Sequence, residues 1–506
     1  MLYIRMGAVM LAQLYVARVV LNILGAADYG IYNVVGGIVV MFSFLSRTLA
    51  SASQRYFAFE LGRKDFDRLN KVFNINLLLF VIIIGSIIFL AETIGLWFMH
   101  AELIIPRERL FAADWVYQFS IFSFSITLLA IPYQAVIIAR EQMNIYAYIG
   151  IFESLLNVVF VLLLQLFNWS VDVLIVYGAM MFLVHLITNG CYILISRRRY
   201  KETHYKYYWD SILVREIISY SGWNLFGAVA GILRSQGINI LINMFFNPAI
   251  NAARGLAYQV NNALNQFSNN FYTAVRPQVT KLYAQNDRKA TMALVFSSAK
   301  LTYFLLLFLA VPVITFVHEI LDLWLVDIPE KTDLFLVLVI IVALIDSISH
   351  PLMTLAQATG EIKLYQLVVG GLLVMNLPLS WIVLKMGYEA EYTMYVAIGV
   401  AIISLFARLI ILKRLVSFPI RFFCISVLFP SFLITLFGFL GTYLTCYFLI
   451  KENSNIYMLC LAIVCSICLT LFLIVGMGLT RKERAIVLSM ITTKFKRKCY
   501  MKKLKR

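Results

Sequence analysis

Apolar runs long enough to cross a bilayer follow one another along almost the whole chain, separated by short polar connections. A membrane-spanning helix needs about 20 predominantly apolar residues. The pattern therefore predicts an all-α integral membrane protein with about 14 transmembrane helices. These helices are predicted at residues 3–24, 31–59, 73–99, 110–139, 145–167, 171–196, 213–243, 252–280, 293–317, 334–358, 362–386, 392–412, 422–450 and 456–479. The second and eighth segments are the weakest by hydropathy.

The basic residues of the connections predict the orientation of these helices. With both termini in the cytoplasm, the inward connections and the tail hold 29 lysines and arginines, whereas the outward connections hold 5. Positively charged loops are retained on the cytoplasmic side. The pattern therefore predicts that both ends of the chain are cytoplasmic.

Composition agrees with a polytopic membrane protein and argues against several other classes. Hydrophobic residues make up 62% of the 506 residues and charged residues only 14%, against about 25% charged in an average soluble domain. Much of the net charge of +17 comes from the tail at 480–506, whose eleven basic residues favour membrane lipid over nucleic acid as partner. Neither a phosphate-binding glycine loop, nor a nucleophile motif, nor metal-ligand spacing is present in the sequence. We therefore expect neither an enzyme nor a bound cofactor or metal.

An internal repeat relates the two halves of the chain. At an offset of about 220 residues, PYQAVIIAREQMNIY pairs with PLMTLAQATGEIKLY, and Arg55 pairs with Arg276. An even number of helices per repeat gives both halves the same orientation, with a pseudo-two-fold axis along the membrane normal. The repeat predicts an N-terminal six-helix lobe at 1–205, a C-terminal six-helix lobe at 206–415, two added helices at 416–479 and the basic cytoplasmic tail.

Two of the predicted helices carry a polar face through the membrane. On a helical wheel, Arg47 and Arg55 share one face of the second helix with serines and a glutamine. The eighth helix presents Asn262, Gln266, Asn269 and Arg276 on one side. Lipid does not favour such faces, so we expect them to line the interior between the two lobes.

Further cations lie inside predicted helices, at Arg18, Arg234 and Lys300. Each costs about 2.5–3.5 kcal/mol at the bilayer centre unless it faces protein or water. They could extend their charged ends to the membrane surface or pair with an acid, but the clear intramembrane acids are few. An excess of cation predicts an anionic ligand, and the forked guanidinium suits phosphate oxygens.

Two of those acids, Glu153 and Asp346, are candidate coupling groups. A carboxylate inside a membrane helix can exchange H⁺ or Na⁺ between the two sides. The alternative interpretation is that each pairs structurally with a buried arginine.

Four stretches of the sequence resemble polysaccharide repeat-unit flippases of the O-antigen and capsule type. They are LYIRM near the start, RVVLNILGAADYGIYNVVGGIV at 18–39, SQRYFAFELGRKD at 53–65 and NAARGLAYQVNNALNQFSNNFYTAVRPQVTKLYA at 251–284. These flippases belong to the multidrug, oligosaccharidyl-lipid and polysaccharide exporter superfamily. The resemblance implies alternating-access export of undecaprenyl-pyrophosphate-linked oligosaccharide to the periplasmic leaflet of a bacterial inner membrane. It further implies a cationic cavity for the pyrophosphate, and a polysaccharide polymerase and assembly proteins as partners.

Three other functions stay open from the sequence. A peptidoglycan-precursor flippase would share the fold and the cationic cavity, whereas a drug/cation antiporter of the same superfamily would favour acidic cavity residues. A membrane glycosyltransferase or polymerase would need an acidic catalytic loop outside the membrane. The best candidate for such a loop is HEILDLWLVDIPEKTD at 318–333, which is short and resembles an interfacial cap.

Overall fold

The computed structural model of the chain describes residues 43–101, 106–166, 172–246, 248–324, 328–450, 456–480 and 483–484, together with scattered positions before residue 43. Regular structure in these ranges is entirely helical. The predicted first helix at 3–24 and most of the basic tail lie outside the ranges.

Ten helices of the described residues are long and apolar enough to cross a membrane. They are α2 (Phe66–Ala101), α3 (Arg107–Ala139), α4 (Met143–Leu166), α5 (Val173–Arg199), α9 (Arg288–Thr315), α11 (Thr332–Thr359), α12 (Lys363–Lys385), α13 (Tyr392–Val416), α14 (Ile420–Thr445) and α15 (Tyr457–Gly478). Each coincides with an apolar run of the sequence, so the predicted class of multi-pass, all-α membrane protein is confirmed.

The remaining helices are shorter or more polar. They are α1 (Ser43–Arg63), α6 (Ser211–Ile232), α7 (Ile238–Phe245), α8 (Pro248–Ala284) and α10 (Val317–Trp324). A π turn at Leu233–Gly237 joins α6 to α7. The helices α1 and α8 correspond to the two predicted segments of weakest hydropathy, and their polar side chains explain why they are absent from the ten apolar spans.

Helix bounds and special backbone positions repeat along the chain. The starts of α2 and α9, of α4 and α12, and of α5 and α13 are each separated by about 220 residues. Both α3 and α11 contain an internal proline, Pro132 and Pro351. Just after these two helices the backbone adopts positive φ at Glu141 and Gly360. Local conformation therefore repeats with the same offset as the sequence.

The chain folds into two compact units. Unit 1 comprises residues 1–228 and 274–287, and unit 2 comprises residues 229–273 and 288–506. Within unit 1, a core of apolar side chains joins α3 to α5, centred on Tyr117 and Leu174. Within unit 2, α11 packs against α9 and α13. The predicted lobe limits at 205 and 415 stay a prediction.

Exposed apolar side chains cover the outer helices. Phe89 and Trp97 of α2 expose 67% and 62% of their surface, and Phe432 and Phe472 of α14 and α15 expose 65% and 74%. In water such surfaces would drive aggregation. In a membrane protein they are the surfaces that contact lipid.

Candidate functional site

A polar cavity of about 420 Å³ lies within unit 2. We call it the unit 2 cavity. It is lined by Gly231, Arg234, Tyr258, Asn261, Asn262, Asn265, Asn269, Val339, Val342, Ala343, Asp346, Ser349, His350, Met353 and Arg408. The α11 side chains recur every three or four residues, so a single face of that helix forms one wall.

An ion pair occupies one side of the unit 2 cavity. The Arg234 guanidinium, in the π turn after α6, donates to the Asp346 carboxylate of α11 at 3.1 Å. The Arg234 side chain is 16% exposed and the Asp346 side chain is 28% exposed. Arg234 and Asp346 were predicted for different roles, substrate binding and ion coupling. The structure brings them together, as the pairing alternative for Asp346 requires.

A second arginine in the unit 2 cavity is held by neutral groups. Arg408 of α13 is buried, and it donates to the Tyr365 hydroxyl at 3.0 Å and to Ser349 Oγ at 3.1 Å. Neither partner is an acid, so these contacts orient the guanidinium without cancelling its charge. Each hydrogen bond to a charged group contributes about 1.5–3 kcal/mol.

Asparagines of α8 form the opposite wall. Asn262 and Asn269, both predicted site residues, line the unit 2 cavity and are exposed, whereas Asn265 is partly exposed and Asn261 is buried. The Asn265 amide donates to Asn261 Oδ1 at 3.1 Å, which fixes two of the four side chains relative to each other. Gln266 is also exposed but is not among the lining residues.

The cavity therefore carries more positive than negative charge. Two guanidinium groups, Arg234 and Arg408, face one carboxylate, Asp346. A third, Arg254, is buried behind the wall, where it lies 4.5 Å from the ring centre of the lining residue Tyr258 and donates to Asn239. Positive charge beside amides and hydroxyls suits an anionic ligand that also offers hydrogen-bonding groups.

In unit 1, Arg55 of α1 lies in an aromatic box. Its guanidinium carbon is 4.7 Å from the ring centre of Tyr56, 4.9 Å from Phe59 and 5.1 Å from Tyr220. Arg55 is 6% exposed, and cation–π contacts of this kind contribute about 2 kcal/mol or more when desolvated. The surroundings of Arg55 are therefore those of a packed side chain.

Arg276, the repeat partner of Arg55, also contacts α1. It donates to the Ser51 carbonyl at 3.1 Å and to the Ser51 hydroxyl. Nearby, Lys281 Nζ lies 2.7 Å from Glu141, and Gln278 donates to the same carboxylate at 3.0 Å. The last turns of α8 are thereby fastened to α1 and to the turn between α3 and α4, all within unit 1.

The inference that Lys300 belongs to an unneutralised set of cations is wrong. Lys300 of α9 is buried at 3% exposure, and its Nζ lies 2.7 Å from the Glu483 carboxylate. Glu483 also accepts from Ser297 at 2.7 Å and from the Thr480 backbone amide at 2.8 Å. The apolar pattern does not indicate this acid as a partner, because Glu483 lies just beyond the last apolar run, in the predicted tail.

Three predicted site residues lie outside the described residues or have few described contacts. Arg18 lies outside the described residues, and Arg47 is described only as part of the α1 backbone. Glu153 of α4 is half-buried and forms no hydrogen bond within the described ranges. Among these described ranges, no cluster of three metal-ligating side chains occurs.

Two functional candidates were missed in the sequence, Arg408 and His350. Arg408 interrupts the apolar run SLFARLIIL, so the rule that selected Arg234 would also have selected it. His350 stacks near Tyr272, with ring centres 5.2 Å apart, and lines the unit 2 cavity. It has no sequence signal beyond a lone histidine in an apolar helix.

Solved transporter structures share this fold. A multidrug resistance MATE family transporter of the MOP superfamily, in an outward-facing conformation, matches with a TM-score of 0.69 at 13% identity, covering 82% of this chain and 94% of that one. A MOP superfamily transporter from Pyrococcus furiosus, described as having a binding pocket of reverse polarity that suggests a different function, matches with a TM-score of 0.68 at 14% identity, over 82% and 94%. The MATE transporter ClbM in complex with Rb⁺ matches with a TM-score of 0.65 at 14% identity, over 80% and 92%.

No family model and no curated protein sequence matches the chain. At 13–14% identity the structural matches show the fold, which is that of MATE transporters of the MOP superfamily. This fold agrees with the one that the resemblance to the exporter superfamily implies, and the role of the chain as a transporter is taken up as a proposal below. The narrower resemblance to repeat-unit flippases stays a prediction.

Proposed function

We propose that this protein is a flippase for a lipid-linked oligosaccharide. Its substrate would be an undecaprenyl-pyrophosphate-linked polysaccharide repeat unit, carried by alternating access from the cytoplasmic to the periplasmic leaflet of a bacterial inner membrane. The observation that carries the proposal is the unit 2 cavity, in which Arg234 and Arg408 face Asp346, the one carboxylate among the described lining residues. Excess positive charge favours a pyrophosphate over a cationic solute.

The asparagine wall supports a sugar as the second part of the ligand. Asn261, Asn262, Asn265 and Asn269 offer amide donors and acceptors along about two turns of α8. Sugar hydroxyls both donate and accept, so an amide surface can bind them in several orientations. A cavity for an apolar cation would not need four neighbouring amides.

A drug/cation antiporter is the second candidate, because two of the transporters with this fold are described as a multidrug resistance transporter and as ClbM with Rb⁺. The Pyrococcus furiosus transporter, whose binding pocket is described as having a reverse polarity that suggests a different function, supports the view that this fold serves more than one function. In the antiporter interpretation, Asp346 would bind H⁺, Na⁺ or the solute itself. Its ion pair with Arg234 weakens that role, since a cation would have to displace the guanidinium.

Binding by the purified full-length protein separates the two candidates. Undecaprenyl-pyrophosphate-linked oligosaccharide and ethidium are the two probes, and the variant is Arg234→Gln combined with Arg408→Gln. We expect the wild type to prefer the lipid-linked sugar and the double variant to bind it at least about tenfold more weakly, a loss of about 1.4 kcal/mol. Arg421→Gln, which removes an exposed charge near the start of α14, is the matched control.

Export in cells gives the second test. In a strain that lacks the gene, we expect complete lipid-linked units to accumulate and surface polysaccharide to fall, with rescue by the wild type and by Arg421→Gln but not by the double variant. Preferential binding of ethidium, together with unchanged export in the double variant, would contradict the flippase proposal.

A further inference from the structure

A second pocket, larger than the unit 2 cavity, lies in unit 1, at one end of its helices. Its volume is about 830 Å³, and we call it the basic pocket. It is lined by Phe66, Asp67, Asn70, Lys71, Arg140, Arg199, Lys201, Glu202, Lys206, Tyr207 and Tyr208. It shares no residue with the unit 2 cavity, so the two sites can be altered separately.

The wall formed by the linker between α5 and α6 is held in place by α2. The Asn70 amide donates to the carbonyls of Glu202 and His204 at 2.7 and 3.2 Å. The Lys206 backbone amide donates to Asn74 Oδ1 at 2.9 Å. Thr203 is fully buried and donates to the Ser196 carbonyl at 3.1 Å. The pocket is therefore preformed, which lowers the entropic cost of binding a ligand there.

Most of the positive charge in the basic pocket is available to a ligand. Arg140 is committed to the buried Glu202, to which its Nε donates at 2.7 Å. Lys71, Arg199, Lys201 and Lys206 are exposed, and none of them forms an ion pair with a carboxylate of the described residues. Only Asp67 opposes them among the lining residues.

The position of the basic pocket identifies the kind of ligand. The pocket lies where α2 begins, where α3 and α5 end, and where the polar linker begins. Exposed aromatic side chains line it or directly follow its lining residues, including Phe66 at 53%, Tyr207 at 75% and Trp209 at 49%. Aromatic side chains of this kind are enriched at the membrane–water boundary, at the depth of lipid headgroups. Basic pockets at this depth suit the headgroups of cardiolipin and similar lipids.

We propose that the basic pocket binds the headgroup of a membrane lipid that carries two phosphates. The exposed cations outnumber the opposing acid, so one phosphate would leave the charge of the pocket unbalanced, and its volume accommodates two. Two lipid sources share this chemistry, a phospholipid of the cardiolipin class and a polyprenyl pyrophosphate. The aromatic rim favours both of these over a soluble anion.

Binding to the purified, delipidated full-length protein tests the proposal. The probes are cardiolipin, undecaprenyl pyrophosphate, phosphatidylethanolamine and soluble inorganic pyrophosphate, with complexes counted by native mass spectrometry. The variant is Lys71→Gln combined with Lys206→Gln, which removes two exposed charges and leaves the linker hydrogen bonds of Asn70 and Asn74 in place. The matched control, Lys413→Gln with Arg414→Gln, removes two exposed charges from the end of α13.

We expect at least one of the two diphosphate lipids to bind, and to bind the Lys71/Lys206 variant about 25-fold more weakly, since each charge contributes about fivefold near a membrane surface. Whichever diphosphate lipid shows this loss is the source. The control should bind like the wild type. Equal binding by wild type and variant, equal losses in variant and control, or capture of soluble pyrophosphate as strongly as lipid would each overturn the proposal. Because Lys71 and Lys206 lie outside the unit 2 cavity, failure here leaves the flippase proposal standing.

Discussion

The ion pair between Arg234 and Asp346 offers the sharpest test of the unit 2 cavity, because it decides whether the carboxylate is a partner for arginine or an independent ion-binding group. Asp346→Asn removes the charge with little change in shape, and Arg234→Gln removes the other charge. The two changes are made singly and together, so that the free energy of coupling between the side chains can be obtained from a double-mutant cycle.

The expected magnitude follows from the geometry of the pair. At 3.1 Å and an effective dielectric constant of about 20, the attraction is on the order of 5 kcal/mol, but desolvation offsets most of it. Breaking a fully buried pair costs about 3–5 kcal/mol, whereas exposed pairs contribute about 0–1 kcal/mol. With the two side chains 16% and 28% exposed, we expect each single change to lower the free energy of unfolding by about 1–3 kcal/mol.

Unfolding of the purified variants in mixed micelles, followed by tryptophan fluorescence, measures this free energy. The double variant should lose little more free energy of unfolding than either single variant does. A comparison pair in the same unit is Lys331 with Glu389, whose glutamate is 62% exposed, although Lys331 also pairs with Glu391. The coupling between Lys331 and Glu389 should be below about 1 kcal/mol. If the costs of Arg234→Gln and Asp346→Asn add to within about 0.5 kcal/mol, the pair is not coupled and Asp346 is free for another role.

Three further predictions concern other parts of the structure. Gly62→Ala would place a Cβ 2.7 Å from the Lys281 carbonyl and 2.9 Å from its Cα, so thermal unfolding should show a loss of about 1–3 kcal/mol. Gly85→Ala, with nothing within 4 Å, should not destabilise, and equal effects would contradict the close packing of α1 and α8. Tyr365→Phe removes an acceptor from Arg408 and should cost about 1.5–3 kcal/mol in the same assay, while the exposed Tyr395→Phe should change stability little. Burial raises the pKa of Glu483, but hydrogen bonds from Lys300, Ser297 and Thr480 outweigh it and hold the pKa below its usual 4.5. The resulting stabilisation is complete above that value and is lost as pH falls through the lowered pKa, so an unfolding series against pH should lose this acid-side slope in Glu483→Gln, and the idea fails if the slope persists.

The fold could be predicted from the sequence because the bilayer imposes length and apolarity on each helix. For example, the helix predicted at 334–358 corresponds to α11, and its predicted start lies within two residues of the observed start at Thr332. The polar faces of α1 and α8 could also be predicted, because their polar side chains interrupt the apolar sequence that a lipid-facing helix needs. The repeat was found through Pro132 and Pro351, which have the same helical setting in both halves.

The contacts of the charged residues could not be predicted in the same way. Arg234 and Asp346 are 112 residues apart, and their pairing depends on which faces of α11 and the π turn meet. Arg55 was predicted to lie on an interior polar face, and the sequence could not show that its aromatic box includes Tyr220, far away in sequence. Lys300 was assigned to the wrong environment because Glu483 lies outside every apolar run. A charged residue within an apolar helix indicates that its face of the helix is buried. Only the tertiary structure shows which residues cover that face.

The π turn at Leu233–Gly237, which carries the cavity residue Arg234, also has a consequence for how α6 and α7 can be mapped by cysteine labelling. Each residue of an α-helix advances by about 100°, and a π turn inserts one residue into that progression. Accessibility to a thiol reagent should therefore rise and fall every three to four residues through α6 and again through α7, with the second series one residue out of phase with the first. Deleting one residue of the turn would remove this phase slip and rotate α7 relative to α6 by about 100°. A single insertion or deletion there could therefore change which face of α7 packs against Leu384 and where Arg234 lies in the cavity.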